Sequence, residues 1–574
     1  MNRSKPIAIS PEILLIVFLA LLTVLYFNAG KPFQLDEAYP FATNAHVIDQ
    51  RGVQVLGERA APGSQDTALE IAHPPLYPIS LSLVFRIFGE TNTAGRLFGV
   101  FCLFLTLWIL RALSRALYPQ DSRAAWIASA VLLLSSPFIL QFSLLLDIDN
   151  TVLTPWLILT LFLVVRFLKF GKSGHLIWAG LSLGAAFWAK ELTPPVIPAA
   201  LFLYYLLRRE WKNAVAYPLI LGGVGLAFFT ATWLLFCVWT HVPPLVFIRF
   251  LLSKKGVFFF NFTYVQTILY VVKLLIAWLS PALMLLIGMW AVQRLKFLKK
   301  GAFPDREDFL KIWVLVMALY TSVYIPMTTN LPLLKYSYPL FPVLLLMIGH
   351  WLVPHLQSLK WPSRIRVLLG IAGTWLWLFL VFKQDPLRLA YQNRLSFTGR
   401  PFLVLWTPAL ALPFLWLFVE KYKPVRTRLV LGLFAALIGF NLYTNLRQTG
   451  DYTTAPSWDI YGEEGLQDAA AYIAEHADPA GRIVARKDIG YYLNFRLNRP
   501  DIEWLYPLFR GPRPQCEVDF ERVLASGIQY IVLDPSTNRR AAAEIIFPSY
   551  KQDKTFGDFT VYKRIPEDAP ADSG

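Results

Sequence analysis

Asp36 and Glu37 stand side by side just after an apolar run, within Gln34-Leu35-Asp36-Glu37-Ala38-Tyr39. Adjacent carboxylates at a membrane surface could take a proton as a general base or hold a metal ion. Spacing alone favours the simpler alternative, solvated loop charges, because acidic pairs are common. Asp147 and Asp149 form a second acidic turn, Leu146-Asp147-Ile148-Asp149-Asn150, between two apolar segments. A carboxylate at the bilayer centre costs about 2.5–3.5 kcal/mol, so both are expected at an external turn. There they either mark the turn or bind acceptor hydroxyls or a divalent cation, and the pattern leaves both open. His73 opens His73-Pro74-Pro75-Leu76-Tyr77, where two prolines favour an extended lead-in to a helix. A rigid loop anchor is the simpler role for it; an acceptor or metal contact is the sharper one.

Cations supply the complementary charge. Lys190-Glu191 closes one apolar run, Lys254-Lys255 share a loop with Arg249, and Lys335 opens Lys335-Tyr336-Ser337-Tyr338-Pro339. Taken singly, each is explained by a long side chain reaching for the interface. Together with the acids, they suggest a site for an anionic ligand such as a lipid phosphate.

The elements that must position these groups are membrane helices. Hydrophobic residues make up 56% of the 574 and charged residues only 16%, with 19 Trp and 43 Phe. A soluble chain carries about 25% charge, and no water-soluble core hides so much apolar surface. Runs of bilayer length lie near 12–29, 92–110, 124–144, 150–167, 175–192, 194–207 and 213–238. They continue near 267–291, 312–329, 338–354, 365–382, 401–419 and 427–445, giving about 13 transmembrane helices. The first lacks a small-residue cleavage site before Lys31-Pro32 and is expected to remain as a helix.

The net charge of +16 is distributed as an orientation signal rather than as a nucleic-acid surface. Every second loop is basic, from Arg111, Arg115 and Arg123 to Lys421, Lys423, Arg426 and Arg428. This places the N-terminus in the cytoplasm and the tail outside. No arginine-rich arm or zinc spacing accompanies the charge, which argues against a nucleic-acid partner. The three cysteines, Cys102, Cys237 and Cys516, suggest no structural disulfide.

Two predicted external segments exceed simple turns. Residues 31–91 form a first loop with interfacial helices, inside a transmembrane domain of residues 1–447. Residues 448–574 turn polar and alternate a helix (Leu466 to Ala477), a strand (Ile483 to Ala485), a helix (Phe520 to Ala525) and a strand (Tyr530 to Leu533). A last strand ends at Tyr562. The expected fold is therefore a polytopic α-helical membrane protein with a small C-terminal α/β extramembrane domain.

These motifs resemble, in order and sidedness, the GT-C superfamily of membrane glycosyltransferases, in particular its protein mannosyltransferase and aminoarabinose transferase branch. The resemblance rests on the acidic pair, on the His-Pro-Pro-Leu-Tyr loop and on Gly89-Glu90 before Arg96-Leu97. Ser136-Pro137-Phe138, Gln141-Phe142-Ser143, the acidic turn, Trp188-Ala189-Lys190-Glu191 and Lys335 to Pro342 look similar to later family blocks. It is good over about residues 10–205, patchy to 355 and weak beyond; Asp147 and Asp149 sit where family members vary.

The resemblance implies a polyprenyl-phosphate sugar donor, an external catalytic face and a catalytic carboxylate in the first loop. Asp36 is the residue that matches, with Glu37 beside it. Donor phosphate would fall to Lys190, Lys254, Lys255 or Lys335. The acceptor would be a hydroxyl of a lipid, glycan or protein, and a bacterial inner membrane is the expected setting. The motifs identify no cofactor, and a divalent cation held by the acids stays open. A lipid-glycan flippase, or a polymerase or ligase using a lipid diphosphate, remains the alternative.

Overall fold

The computed structural model describes residues 21–22, 25–26, 29–33, 37–56, 73–245, 283–293, 306–324, 334–357, 423–448, 465–505, 517, 520–521, 523–534, 545–546 and 549–565. Asp36, Lys254 and Lys255 lie outside them, and of Lys335 only the backbone is described.

The first loop carries a π-helical turn, Glu37–Ala42, leading into α1, Thr43–Arg51. After the His-Pro-Pro motif comes α2, Leu76–Phe88, which packs on α1. The bundle then proceeds through α3 (Asn92–Leu117), α4 (Ser122–Ser135), α5 (Pro137–Ser143) and α6 (Thr154–Phe170). It continues through α7 (Ser173–Ala189), α8 (Val196–Leu207) and α9 (Trp211–Thr240). The remaining described helices of this part are α10 (Leu283–Gln293), α11 (Arg306–Leu319), α12 (Leu340–Gln357) and α13 (Lys423–Gln448).

Local chemistry sets the helix ends. Thr91 caps α3, its hydroxyl oxygen accepting from the Ala94 amide at 3.0 Å. Gly171 closes α6 with a left-handed φ of 65°, a conformation that other residues adopt only with strain. The run near 124–144, read from sequence as one span, is broken: Pro137 starts a new helix and the axis turns by 71° between α4 and α5. Pro137 supplies no amide donor to the preceding turn. The Ser135 carbonyl freed by the break accepts from Asn445 Nδ2 at 2.8 Å, and the Ser135 hydroxyl accepts from Asn441 Nδ2 at 3.2 Å. Side-chain amides from α13 thus replace water at a helix break.

Among the described residues, Asn92–Leu117, Asp149–Phe170 and Trp211–Thr240 are long and apolar enough to cross a membrane, and the bent α4–α5 pair makes a fourth if it is one span. The predicted spans near 12–29, 267–291, 365–382 and 401–419 fall wholly or mostly outside the described residues. On α9, Leu219, Leu235 and Val238 are 67%, 70% and 76% exposed. Apolar side chains so open on a long apolar helix suit lipid contact. α9 packs on α7, where Gly180 and Gly184 meet Val224, Gly225 and Phe228. Small residues allow that close approach.

The C-terminal part has α14 (Leu466–His476), β1 (Arg482–Val484), α15 (Lys487–Tyr491) with a π-helical turn to Arg496, and β2 (Glu503–Leu505). Strands β3 (Tyr530–Leu533), β4 (Tyr550–Phe556) and β5 (Phe559–Arg564) complete a five-stranded sheet of order β2-β1-β3-β5-β4. β1 runs parallel to β2 and β3, whereas β5 pairs antiparallel with β3 and β4. Gly557, at a φ of 51°, opens the two-residue β4–β5 turn. α15 and its turn lie against the first loop.

Candidate active site

The first loop is anchored by an arginine. Arg96 lies in the first turn of α3 and is 0% exposed. Its Nη1 donates to Glu37 Oε1 at 2.8 Å and its Nη2 to Glu37 Oε2 at 3.1 Å. The other donors reach the carbonyls of Lys31 (2.9 Å), Leu144 (2.9 Å) and Pro32 (2.6 Å). A guanidinium has five N–H groups, and each has an acceptor here. Glu37 Oε1 also accepts from the Leu146 amide at 3.1 Å. One ion pair therefore joins the first loop, α3 and the acidic turn. Both oxygens of Glu37 are committed, which makes this carboxylate an anchor rather than an available base.

The acidic turn is buried, not solvated: Asp147 is 5% and Asp149 2% exposed. Asp147 Oδ1 accepts from the Asp149 amide at 3.0 Å, a side-chain-to-backbone turn. Asn150 Nδ2 braces the turn by donating to the carbonyls of Phe142 and Leu145, at 2.6 and 2.9 Å. Lys190, at the end of α7, donates to Asp149 Oδ1 and Oδ2 at 2.8 and 2.6 Å. Burial is affordable for both because each neutralises the other. The Lys190 ammonium also sits 4.0 Å from the centre of the Tyr336 ring, a cation–π contact. Tyr336 belongs to a 3₁₀ turn, Leu334–Ser337, that also holds Lys335. The Lys335 block thus meets the Lys190 block, which sequence spacing alone could not join.

His73 comes to the same place. Its Nδ1 lies 3.0 Å from Glu191 Oε2 and 3.3 Å from Oε1. Glu191 follows Lys190 in the turn beyond α7. Burial pushes its carboxyl up, but the neighbouring His73, through charge and hydrogen bond, brings it below the usual range. Tyr77, from the same motif as His73, is fully buried. Its hydroxyl lacks a hydrogen-bond partner among the described residues. Burial, then the charges of Asp147 and Glu37, hold its phenol well above the ordinary value, so it stays a neutral donor.

Of the residues predicted from sequence, the structure gathers Glu37, His73, Asp147, Asp149 and Lys190 into one region. Arg96 and Glu191 stand out in the sequence only as parts of motifs, although an arginine at the head of an apolar helix is itself a signal. Among the described residues, no three His, Cys, Asp or Glu side chains group as a metal site requires, and Asp149 already has a cationic partner in Lys190.

Comparison with known proteins bears on family and fold. Residues 72–236 match the family model described as dolichyl-phosphate-mannose-protein mannosyltransferase, a stretch containing His73, Arg96, both aspartates and Lys190. The chain is similar in fold to ArnT from Cupriavidus metallidurans bound to undecaprenyl phosphate, with 15% identity, 98% of this chain and 99% of that one covered, and a TM-score of 0.56. Its apo form gives 15% identity, 96% and 98% coverage, and the same TM-score of 0.56. The Archaeoglobus fulgidus oligosaccharyltransferase in complex with zinc and sulfate gives 12% identity, 96% and 74% coverage, and 0.45. No curated protein matches the sequence. The resemblance to GT-C glycosyltransferases seen in the motifs thus appears again in the family match and in the fold.

Proposed function

We propose that the protein is a membrane glycosyltransferase that moves a sugar from a polyprenyl-phosphate donor to a hydroxyl acceptor on the external face. The observation that carries this reading is the Arg96–Glu37 clamp. It ties Glu37, which follows Asp36 in the sequence, to the turn that holds Asp149 against Lys190. The fold shared with an undecaprenyl-phosphate-bound protein supports the same donor class.

In this account Asp36 accepts the proton of the acceptor hydroxyl as that oxygen bonds to the anomeric carbon. The bond from the anomeric carbon to the phosphate oxygen breaks, and its electron pair leaves with the lipid phosphate. Lys190 stabilises that charge, exchanging part of its contact with Asp149 for a phosphate oxygen. Lys335, Lys254 and Lys255 are further candidates for the same task. Glu37 fixes the loop, Tyr77 supplies a neutral hydrogen-bond donor nearby, and His73 with Glu191 closes the first loop onto α7. The acceptor is a lipid, glycan or protein hydroxyl, with His73, Asp147 and Asp149 on its side of the site. A bacterial inner membrane, a cytoplasmic N-terminus and an external α/β domain complete the reading.

Asp36→Asn keeps shape and hydrogen-bonding capacity but removes the basic oxygen. Transfer by the reconstituted variant should fall by about 10²–10⁴-fold, with donor affinity and melting temperature retained. Wild-type turnover by the folded variant would remove Asp36 from the mechanism.

A further inference from the structure

Lys31 to Phe33 and, beyond them, Glu37 are held from two sides. Arg96 grips the carbonyls of Lys31 and Pro32 and the Glu37 carboxylate from within the helical bundle. The other grip comes from the C-terminal domain. The Phe33 amide donates to Tyr492 Oη at 2.8 Å, across 459 positions of sequence. Tyr492 is 3% exposed, and its hydroxyl in turn donates to Asn92 Oδ1, 3.4 Å away at the head of α3. Asn92 Nδ2 returns to the same strand of chain by donating to the Gly30 carbonyl at 3.3 Å.

A second seam runs alongside. Glu90 lies 2.5 Å from His46 Nδ1, accepts from Tyr491 Oη at 2.7 Å, and offers its backbone carbonyl to Arg496 Nη1. The Phe33 ring is buried near those of Phe85 and Tyr491, with both centroid distances 6.3 Å. Adhesion of the two parts is therefore already supplied by the Glu90 seam and the aromatic packing. The Tyr492 bond does something else. It satisfies one buried backbone amide, which would otherwise lack an acceptor, three positions before Asp36.

We propose that Tyr492 is a positioning residue for the transfer reaction: through the Phe33 amide, the α/β domain fixes the placement of the catalytic segment. The inference rests on the reading of Asp36 as the base. A displacement of about 1 Å at a reacting group can cost 10²-fold in rate, so a single hydrogen bond at this point has leverage on turnover.

The test uses the full chain in lipid nanodiscs, with Tyr492→Phe compared against Tyr550→Phe. Tyr550 is a buried tyrosine of the same domain whose hydroxyl donates to the Ile528 carbonyl at 2.9 Å. Both variants lose one buried hydroxyl. Only the first is linked to the catalytic segment. With a synthetic polyprenyl-monophosphate sugar, Tyr492→Phe should lower kcat by about ten- to a hundredfold with donor KM unchanged, while Tyr550→Phe keeps wild-type kcat. Hydrogen exchange of peptides covering residues 31–37 should accelerate in Tyr492→Phe alone. Unchanged kcat in Tyr492→Phe, or an equal loss in Tyr550→Phe, would overturn the positioning role. If the wild type itself transfers no sugar from this donor, the functional reading fails. Exchange at residues 31–37 then decides for Tyr492 by itself, and exchange equal to wild type overturns the proposal.

Discussion

At the scale of single residues, charge pairing decides what each candidate can do. Glu37 and Asp36 are adjacent carboxylates in the sequence, and nothing in their spacing separates anchor from base. The separation comes from Arg96, which lies 59 positions away and occupies both Glu37 oxygens. Glu37→Gln would leave a buried guanidinium without its counter-charge. Breaking a buried pair from one side costs roughly 3–5 kcal/mol, so this variant should melt well below the wild type in detergent, a loss that Asp36→Asn should not show. An unaltered melting temperature for Glu37→Gln would remove the clamp from the account. The Asp147–Asp149 turn shows the limit of reading residues alone. Insertion energetics placed the pair outside the membrane, but the burial of Asp149 depends on Lys190, 41 positions on.

At the scale of elements, apolar run length made most of the described helices legible, including α3, α6 and α9. Their breaks and contacts were less visible. The bend at Ser136-Pro137 is stabilised by Asn441 and Asn445, some 300 positions later, so a window along the chain sees only a run containing a proline. Close helix approach is similarly non-local. A Cβ built on Gly99 of α3 would lie 1.9 Å from the Ser143 carbonyl oxygen, whereas one on Gly223 of α9 meets nothing within 4 Å. Gly99→Ala must push backbone against backbone, and overpacking of this kind costs about 1–3 kcal/mol or more. Thermal unfolding should register that loss in Gly99→Ala and none in Gly223→Ala. Equal melting of both variants would contradict the α3–α5 packing described.

At the scale of the whole molecule, composition and loop charge carried the membrane reading, while the tail was only partly legible. Strand β3 coincides with the apolar run Tyr530 to Leu533 that reads as a strand, but β2 and β4 do not stand out in the sequence. β2 is three residues long, and β4 is a polar strand at the sheet edge with exposed side chains, so neither presents a strong apolar pattern. Parallel pairing of β1 with both neighbours is likewise set by long-range contacts.

The basic loops predict which side each loop faces. With Cys102, Cys237 and Cys516 replaced by Ser, single cysteines at Thr67 and Ser457 should react with an impermeant reagent from outside, and one at Gly301 should not. Labelling of all three from the same side would overturn the topology.

The proposed function turns on the donor. The most direct measurement is single-turnover sugar transfer by the purified wild-type protein, offered the same sugar on a synthetic polyprenyl monophosphate or on the matching diphosphate. Transfer is expected from the monophosphate with release of polyprenyl phosphate, and little from the diphosphate. Transfer from the diphosphate alone, or movement of intact donor across the bilayer without cleavage of the glycosyl bond, would contradict it.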